Sequence, residues 1–256
     1  MTAEPGEPEQ LAEGTLISHL LELRQRLLKA VVAVCIVFAP LAFYGNELYT
    51  FVAQPLIDKL PAGTSIIATS VVAPFMTPLK LSMLAALFIA MPYVLYQIWA
   101  FVAPGLYRHE KRFAMPMLVS SVLLFYAGVA FAYFIVFPLM FKFLTATTPA
   151  GVKMMTDMSS YIDFVLLLFF AFGVAFQVPV ATVLLVSTGL VRIETLKKQR
   201  GYVLLGIFIV AAFLTPPDAL SQCFMAVPMY LLYEIGIVGA RFVLSDRRRR
   251  QSAERA

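Results

Sequence analysis

Residues 81–107 read LSMLAALFIAMPYVLYQIWAFVAPGLY, a stretch without a single charged side chain. A hydrocarbon core about 30 Å thick requires roughly 20 consecutive apolar residues in a crossing helix, and this stretch is longer than that. Residues 113–141 and 164–191 repeat the pattern. Three shorter stretches join them: Ala30–Asn46 between Lys29 and Glu47, Gly201–Pro217 between Arg200 and Asp218, and Ala219–Tyr233, which continues to Arg241 past the lone Glu234. Six spans follow. All are expected to be helices, because lipid offers no partner for open backbone groups.

Composition agrees with this reading. The chain has 256 residues, 61% hydrophobic and 14% charged, with a mean hydropathy of +0.83. Soluble domains run at about 45–50% apolar and about 25% charged. A soluble enzyme, a disordered chain and a disulfide scaffold are therefore excluded. Cys35 and Cys223 fall in apolar stretches and read as small buried hydrophobes. The net charge of +5 is a topology signal rather than a sign of nucleic-acid binding. Of the 20 Lys and Arg residues, all but Lys59, Lys80, Lys142 and Lys153 lie on the side of the two termini. That bias places both termini in the cytoplasm.

The segment before Arg24 carries Glu4, Glu7, Glu9 and Glu13 and no basic residue. It is neither a secretory signal nor an Arg-rich transit peptide. The expected organisation is a disordered tail over 1–14, one membrane domain over 15–244, and a basic tail over 245–256. The spans cover about 25–45, 76–103, 113–138, 161–188, 200–215 and 219–241. Pro40, Pro92, Pro116, Pro138, Pro179 and Pro228 fall within or at the ends of spans. Each removes a backbone hydrogen bond, which predicts a body kinked into a concave shape. The last two spans have 17 and 15 uncharged residues, reaching roughly 22–26 Å at about 1.5 Å per residue. They are expected to be short helices in thinned membrane, joined by the turn Thr215-Pro216-Pro217-Asp218. Asp218 is placed to cap the last helix. The outer segment 47–78 contains Pro55, Pro61, Pro74 and Pro78 and amphipathic pieces such as Leu48–Leu56. It reads as short interfacial helices forming a cap, with Pro55 in a structural role.

Two cytoplasmic segments carry the remaining polar signals. Thr15–Lys29 reads TLISHLLELRQRLLK. Thr15, Ser18, Glu22, Gln25 and Lys29 share one helical face, and Leu16, Leu20, Leu23 and Leu27 share another. Glu22 and Arg26 form an i,i+4 pair. The loop after the second span, Trp99–Arg112, keeps Glu110 close to the membrane. His109-Glu110-Lys111-Arg112-Phe113 begins like H-E-x-x-H, but Phe113 stands where the second metal ligand would be. The only other histidine is His19, so no metal site and no cofactor are expected. Gln177 lies near mid-span, 14 residues from Asp163 and 15 from Arg192. A polar side chain there should face protein or water.

His19-Leu-Leu-Glu22-Leu-Arg24-Gln-Arg26-Leu resembles the N-terminal signature of the TatC family, the multispanning, signal-recognising subunit of the twin-arginine protein translocase. Supporting stretches are Ala73–Lys80, Tyr96–Pro104, Tyr107–Arg112, Phe131–Pro138, Phe172–Val180 and Leu214–Asp218, in family order over about residues 15–240. The resemblance implies a receptor for twin-arginine signal peptides of folded cargo, driven by the proton-motive force and residing in the cytoplasmic (inner) membrane of a bacterium. It further implies that Glu22 and Glu110 accept the two arginines, with Phe101, His19 and Arg24 in the same site. Thr215 and Gln222 would contact the single-span partners TatA or TatB, and further copies of the chain would assemble. The family commonly has glutamate where this chain has Gln177, so an ionisable carboxylate is missing there. Two readings of Gln177 stay open: a polar patch on the concave face, or an amide bonded to a neighbouring helix. A secondary transporter would need ionisable residues in its spans, and the three long spans have none. An intramembrane protease would need a Ser–His pair, Gly-x-Gly-Asp or H-E-x-x-H.

Overall fold

A computed structural model describes residues 7–57, 66–106, 114–147, 155–215 and 219–253. The chain opens with α1 (Glu7–Leu41), which passes through a 3₁₀ turn (Ala42–Tyr44) into α2 (Gly45–Ile57). It continues as α3 (Ala73–Leu106), α4 (Ala114–Phe131), a π-turn (Ala132–Val136) and α5 (Phe137–Ala146). Then come α6 (Met158–Ala175), α7 (Val178–Ser187), α8 (Ile193–Lys198), α9 (Arg200–Leu214) and α10 (Ala219–Ala253). Five helical segments are long and apolar enough to cross a membrane: Ser18–Gln54, Ala73–Val102, Met115–Phe143, Met158–Ser187 and Ala219–Ser245. Arg200–Leu214 is a shorter apolar helix. The architecture is all-helical and polytopic.

The helix boundaries have local causes. α1 starts at Glu7, inside the expected tail; Pro8 falls in the first turn, where no intrahelical bond is lost, and Glu7 and Glu9 meet the positive end of the helix dipole. Pro138 begins α5 directly after the π-turn, and Pro179 begins α7 after the chain leaves α6 at Phe176–Gln177. Both breaks fall where a proline removes a helical donor. The left-handed Gly189 (φ +78°) ends the seventh helix region and redirects the chain toward α8, a conformation open to glycine at no steric cost.

The hairpin of α9 and α10 is unequal. α9 is short, at 15 residues, whereas α10 continues for 35. The charge of Glu234 does not end it, because the carboxylate accepts from Arg200 Nη2 at 2.6 Å and from the Tyr230 hydroxyl at 3.1 Å. The turn residues 216–218, Asp218 among them, lie outside the described residues. Cys35 and Cys223, expected to be buried, are exposed. In a membrane helix, apolar side chains turn to lipid as readily as to protein.

Packing in the bundle rests on close approach at glycines. A Cβ on Gly128 of α4 would lie 2.6 Å from the backbone oxygen of Phe172, and one on Gly173 of α6 would lie 2.6 Å from the Phe125 ring. Gly236 of α10 faces Pro179 and Thr182 of α7 in the same way. Phe125, Phe172, Met140, Ile162, Leu168 and Met225 are fully buried between these helices. α1 is different: it packs along α3, and only 6% of the most apolar window of its span is buried.

On the outer side, α2 is the helical part of the expected cap, and Pro55 falls within it. The rest of the described cap is an extended strip. Ile67 pairs with Asp157 in a β-bridge. The Asp157 carboxylate accepts from Thr69 N and Oγ1 (3.0 and 2.8 Å) and from Ser160 N and Oγ (2.9 and 3.0 Å). It thereby caps α6 and clasps segment 66–72 to it. The Tyr161 hydroxyl donates to Val52 O at 3.0 Å, joining α6 to α2. Lys80 Nζ lies 3.0 and 3.1 Å from the two oxygens of Asp163, joining α3 to α6.

Candidate functional site

Helical spacing sets His19, Glu22 and Arg26 on one face of α1, at i, i+3 and i+7. The C-terminal end of α3 comes alongside. The His19 ring stacks on Phe101, with centroids 4.3 Å apart and planes 18° from parallel. Arg26 donates to Glu22 Oε1 through Nε at 2.9 Å and through Nη2 at 2.5 Å. Both donors converge on one carboxylate oxygen. The other, Oε2, is 4.0 Å from His19 Nδ1, too far for a hydrogen bond. Glu22 is 37% exposed and Arg26 24%. At that exposure the pair contributes about 0–1 kcal/mol. The carboxylate is thus held in place on one oxygen and remains open to a second donor on the other.

The structure therefore brings together His19, Glu22 and Phe101 of the expected site, and adds Arg26 as the group that holds Glu22. Arg24, on the same stretch of α1, is exposed. Glu110 lies outside the described residues, as do Arg108, Lys111 and Arg112.

Gln177 sits at the break between α6 and α7, half-buried. Its Nε2 donates to the backbone oxygen of Ser121 in α4 at 2.9 Å. Ser121 Oγ in turn accepts from Trp99 Nε1 of α3 at 3.0 Å. Trp99 and Ser121 are both buried. This polar chain ties three spans together at depth, and sequence reading missed its middle member. The available signal was a tryptophan N–H in an apolar span, which must find an acceptor. Thr215, at the end of α9, is buried, and its hydroxyl donates to Ala211 O at 3.0 Å. Gln222, near the start of α10, is half-buried. Thr215 and Gln222 thus flank the α9–α10 turn.

The family model TatC, described as Sec-independent protein translocase protein (TatC), matches residues 18–228. A protein of Azotobacter chroococcum mcd 1 named Sec-independent protein translocase protein TatC is 55% identical over 242 residues, 94% of each chain. Its namesake in Escherichia coli strain K12 is 52% identical over 236 residues, 92% of each chain. A solved structure described as the crystal structure of the twin-arginine translocase receptor TatC superposes with a TM-score of 0.79. It is 37% identical, with coverage of 88% of this chain and 98% of that one.

Proposed function

The chain belongs to the TatC family of Sec-independent protein translocase proteins, and from that premise we propose that it is the receptor subunit that binds twin-arginine signal peptides of folded cargo. It does so on its cytoplasmic face. It has no catalytic chemistry of its own; the proton-motive force drives transport. Its membrane domain, residues 15–244, lies in the inner membrane with both termini in the cytoplasm. TatA and TatB assemble with it, through the region of Thr215 and Gln222, and further copies of the chain join the complex.

The observation that carries this reading is the state of Glu22. Its carboxylate already holds a guanidinium, on Oε1, while Oε2 is left for another. An incoming arginine either completes the second oxygen or displaces Arg26. Beside it, the stacked His19 and Phe101 rings offer planar faces on which a guanidinium rests and an ammonium does so less well. Glu110, on the loop after α3, takes the second arginine. Charge-assisted hydrogen bonds at a partly dry interface contribute about 1.5–3 kcal/mol each, which separates an Arg-Arg motif from Lys-Lys by a forked geometry that lysine lacks.

The test is binding of the purified protein to a twin-arginine signal peptide and to its Lys-Lys variant. Glu22→Gln and Glu110→Gln should each weaken Arg-Arg binding by roughly 10- to 100-fold, and the wild type should discriminate against Lys-Lys. Equal affinity for both peptides, unchanged by either substitution, would remove these carboxylates as the reading groups.

A further inference from the structure

At the end of the bundle that carries residues 187–200 and 241–253, a cavity of about 610 Å³ opens between α7, α8 and α10. Arg192, Lys197 and Arg241 line it and are exposed; Val186, Val191 and Leu244 line it and are buried or half-buried. The cavity thus has a cationic rim and an apolar floor. Among the described residues, the salt bridges involve Arg26, Lys80, Arg200 and His19, and none involves the three rim cations. One carboxylate, Glu194, also lines the cavity. It stands in the first turn of α8.

The shape of this cavity is built into the backbone. Gly189 adopts φ +78°, and nothing lies within 4 Å of where its Cβ would be. That turn swings Arg192 and α8 back toward α10. The Tyr233 hydroxyl, donating to Leu196 O at 2.8 Å, pins α8 there. The cavity also sits at a fixed depth. The crossing segments Met158–Ser187 and Ala219–Ser245 both end beside it, and Ser245 is one of its lining residues. It therefore lies where hydrocarbon gives way to headgroups.

We propose that this cavity is a binding site for the phosphodiester headgroup of an anionic phospholipid in the adjacent leaflet. Arg192, Lys197 and Arg241 hold the phosphate, and the first methylenes of the acyl chains cover Val186, Val191 and Leu244. A free phosphate would meet the cations but leave the apolar floor wet. An acidic protein segment would have to reach a site at membrane depth. A lipid is already there, with its charge and its chains at the two required levels. Cations near a membrane surface attract anionic lipid by about fivefold in affinity each. The site is distinct from the Glu22 region and does not depend on signal-peptide recognition.

The experiment measures retention of phosphatidylglycerol and of phosphatidylcholine by the full chain in mixed micelles, by mass spectrometry of the washed protein. Inorganic phosphate and an acidic peptide are added as competitors. The wild type should retain phosphatidylglycerol in preference. Arg192→Gln, Lys197→Gln and Arg241→Gln should each lower its affinity about fivefold, and the triple variant about a hundredfold. Glu194→Gln, which removes the opposing charge, should raise it; that gain guards against loss through misfolding. Lys198→Gln, off the cavity, should leave it unchanged. The proposal is overturned if the triple variant retains phosphatidylglycerol as the wild type does, or if phosphatidylcholine is held equally. It is also overturned if millimolar inorganic phosphate or the acidic peptide displaces the lipid.

Discussion

Asp157 and Glu22 show two fates of a carboxylate on the same chain. Glu22 holds one internal donor residue and keeps an oxygen open. Asp157 is saturated by four hydrogen bonds. The bond from Ser160 N, then those from Thr69, hold its carboxyl far below the usual carboxylate range. A depressed pKa means that the folded state favours the ionised form, so its stabilising effect is fully present above the ordinary carboxylate pKa. It is lost only as pH falls through the lower folded value. Asp157→Asn keeps one accepting oxygen and puts donors opposite donors on the other side. We expect a lower melting temperature in detergent, with the gap to wild type constant between pH 8 and pH 5. A gap that closes over that range would contradict the clasp. The Glu22–Arg26 pair was legible in the sequence because it is local, four residues along one helix. The His19–Phe101 stack and the Asp157–Thr69 clasp were not, since each joins segments far apart in the chain, and no spacing rule reaches across a fold.

The elements follow a similar division. Prolines announced the breaks at Pro138 and Pro179, because a missing N–H acts on its own helix. The π-turn at 132–136 had no such announcement: AYFIV is as apolar as its flanks, and the extra residue in the turn is visible only as geometry. Length was misjudged at the last helix for a related reason. Glu234 looks like an interruption until Arg200, on the neighbouring helix, is seen to neutralise it. The glycines of α4 and α6 carry a prediction at this scale. Gly128→Ala places a methyl 2.6 Å from a backbone oxygen, so the two helices must part. A cost of about 1–3 kcal/mol is expected, as for other overpacked sites. Thermal unfolding of the purified variant checks it, with Gly206→Ala, whose Cβ meets nothing within 4 Å, as the neutral comparison. Equal melting temperatures for the two variants would mean that the α4–α6 contact tolerates expansion.

For the molecule as a whole, the number of spans was legible because lipid enforces it on composition. The arrangement of those spans was not. Buried Phe125 and exposed Leu123 are both apolar, so the periodicity that marks a core face in a water-soluble helix is washed out. The proposed sidedness is open to a direct check. In a background of Cys35→Ala and Cys223→Ala, Ser70→Cys should react with a membrane-impermeant thiol reagent added to spheroplasts. Gln199→Cys should react only after the membrane is opened. Both positions are exposed, so the reverse pattern would invert the orientation derived from the charge bias.

α1 touches α3 along one stripe and otherwise presents Val31, Val32 and Ile36 outward. Selection on such a span acts on two things of different kinds. Along the stripe the shape of each side chain is constrained. Around the rest only oiliness is, and leucine, isoleucine, valine and phenylalanine are interchangeable currency for evolution. Over long divergence this helix should drift in spelling while staying constant in hydropathy, its history written as synonyms. The glycine-packed interior of α4, α6, α7 and α10 has no such freedom.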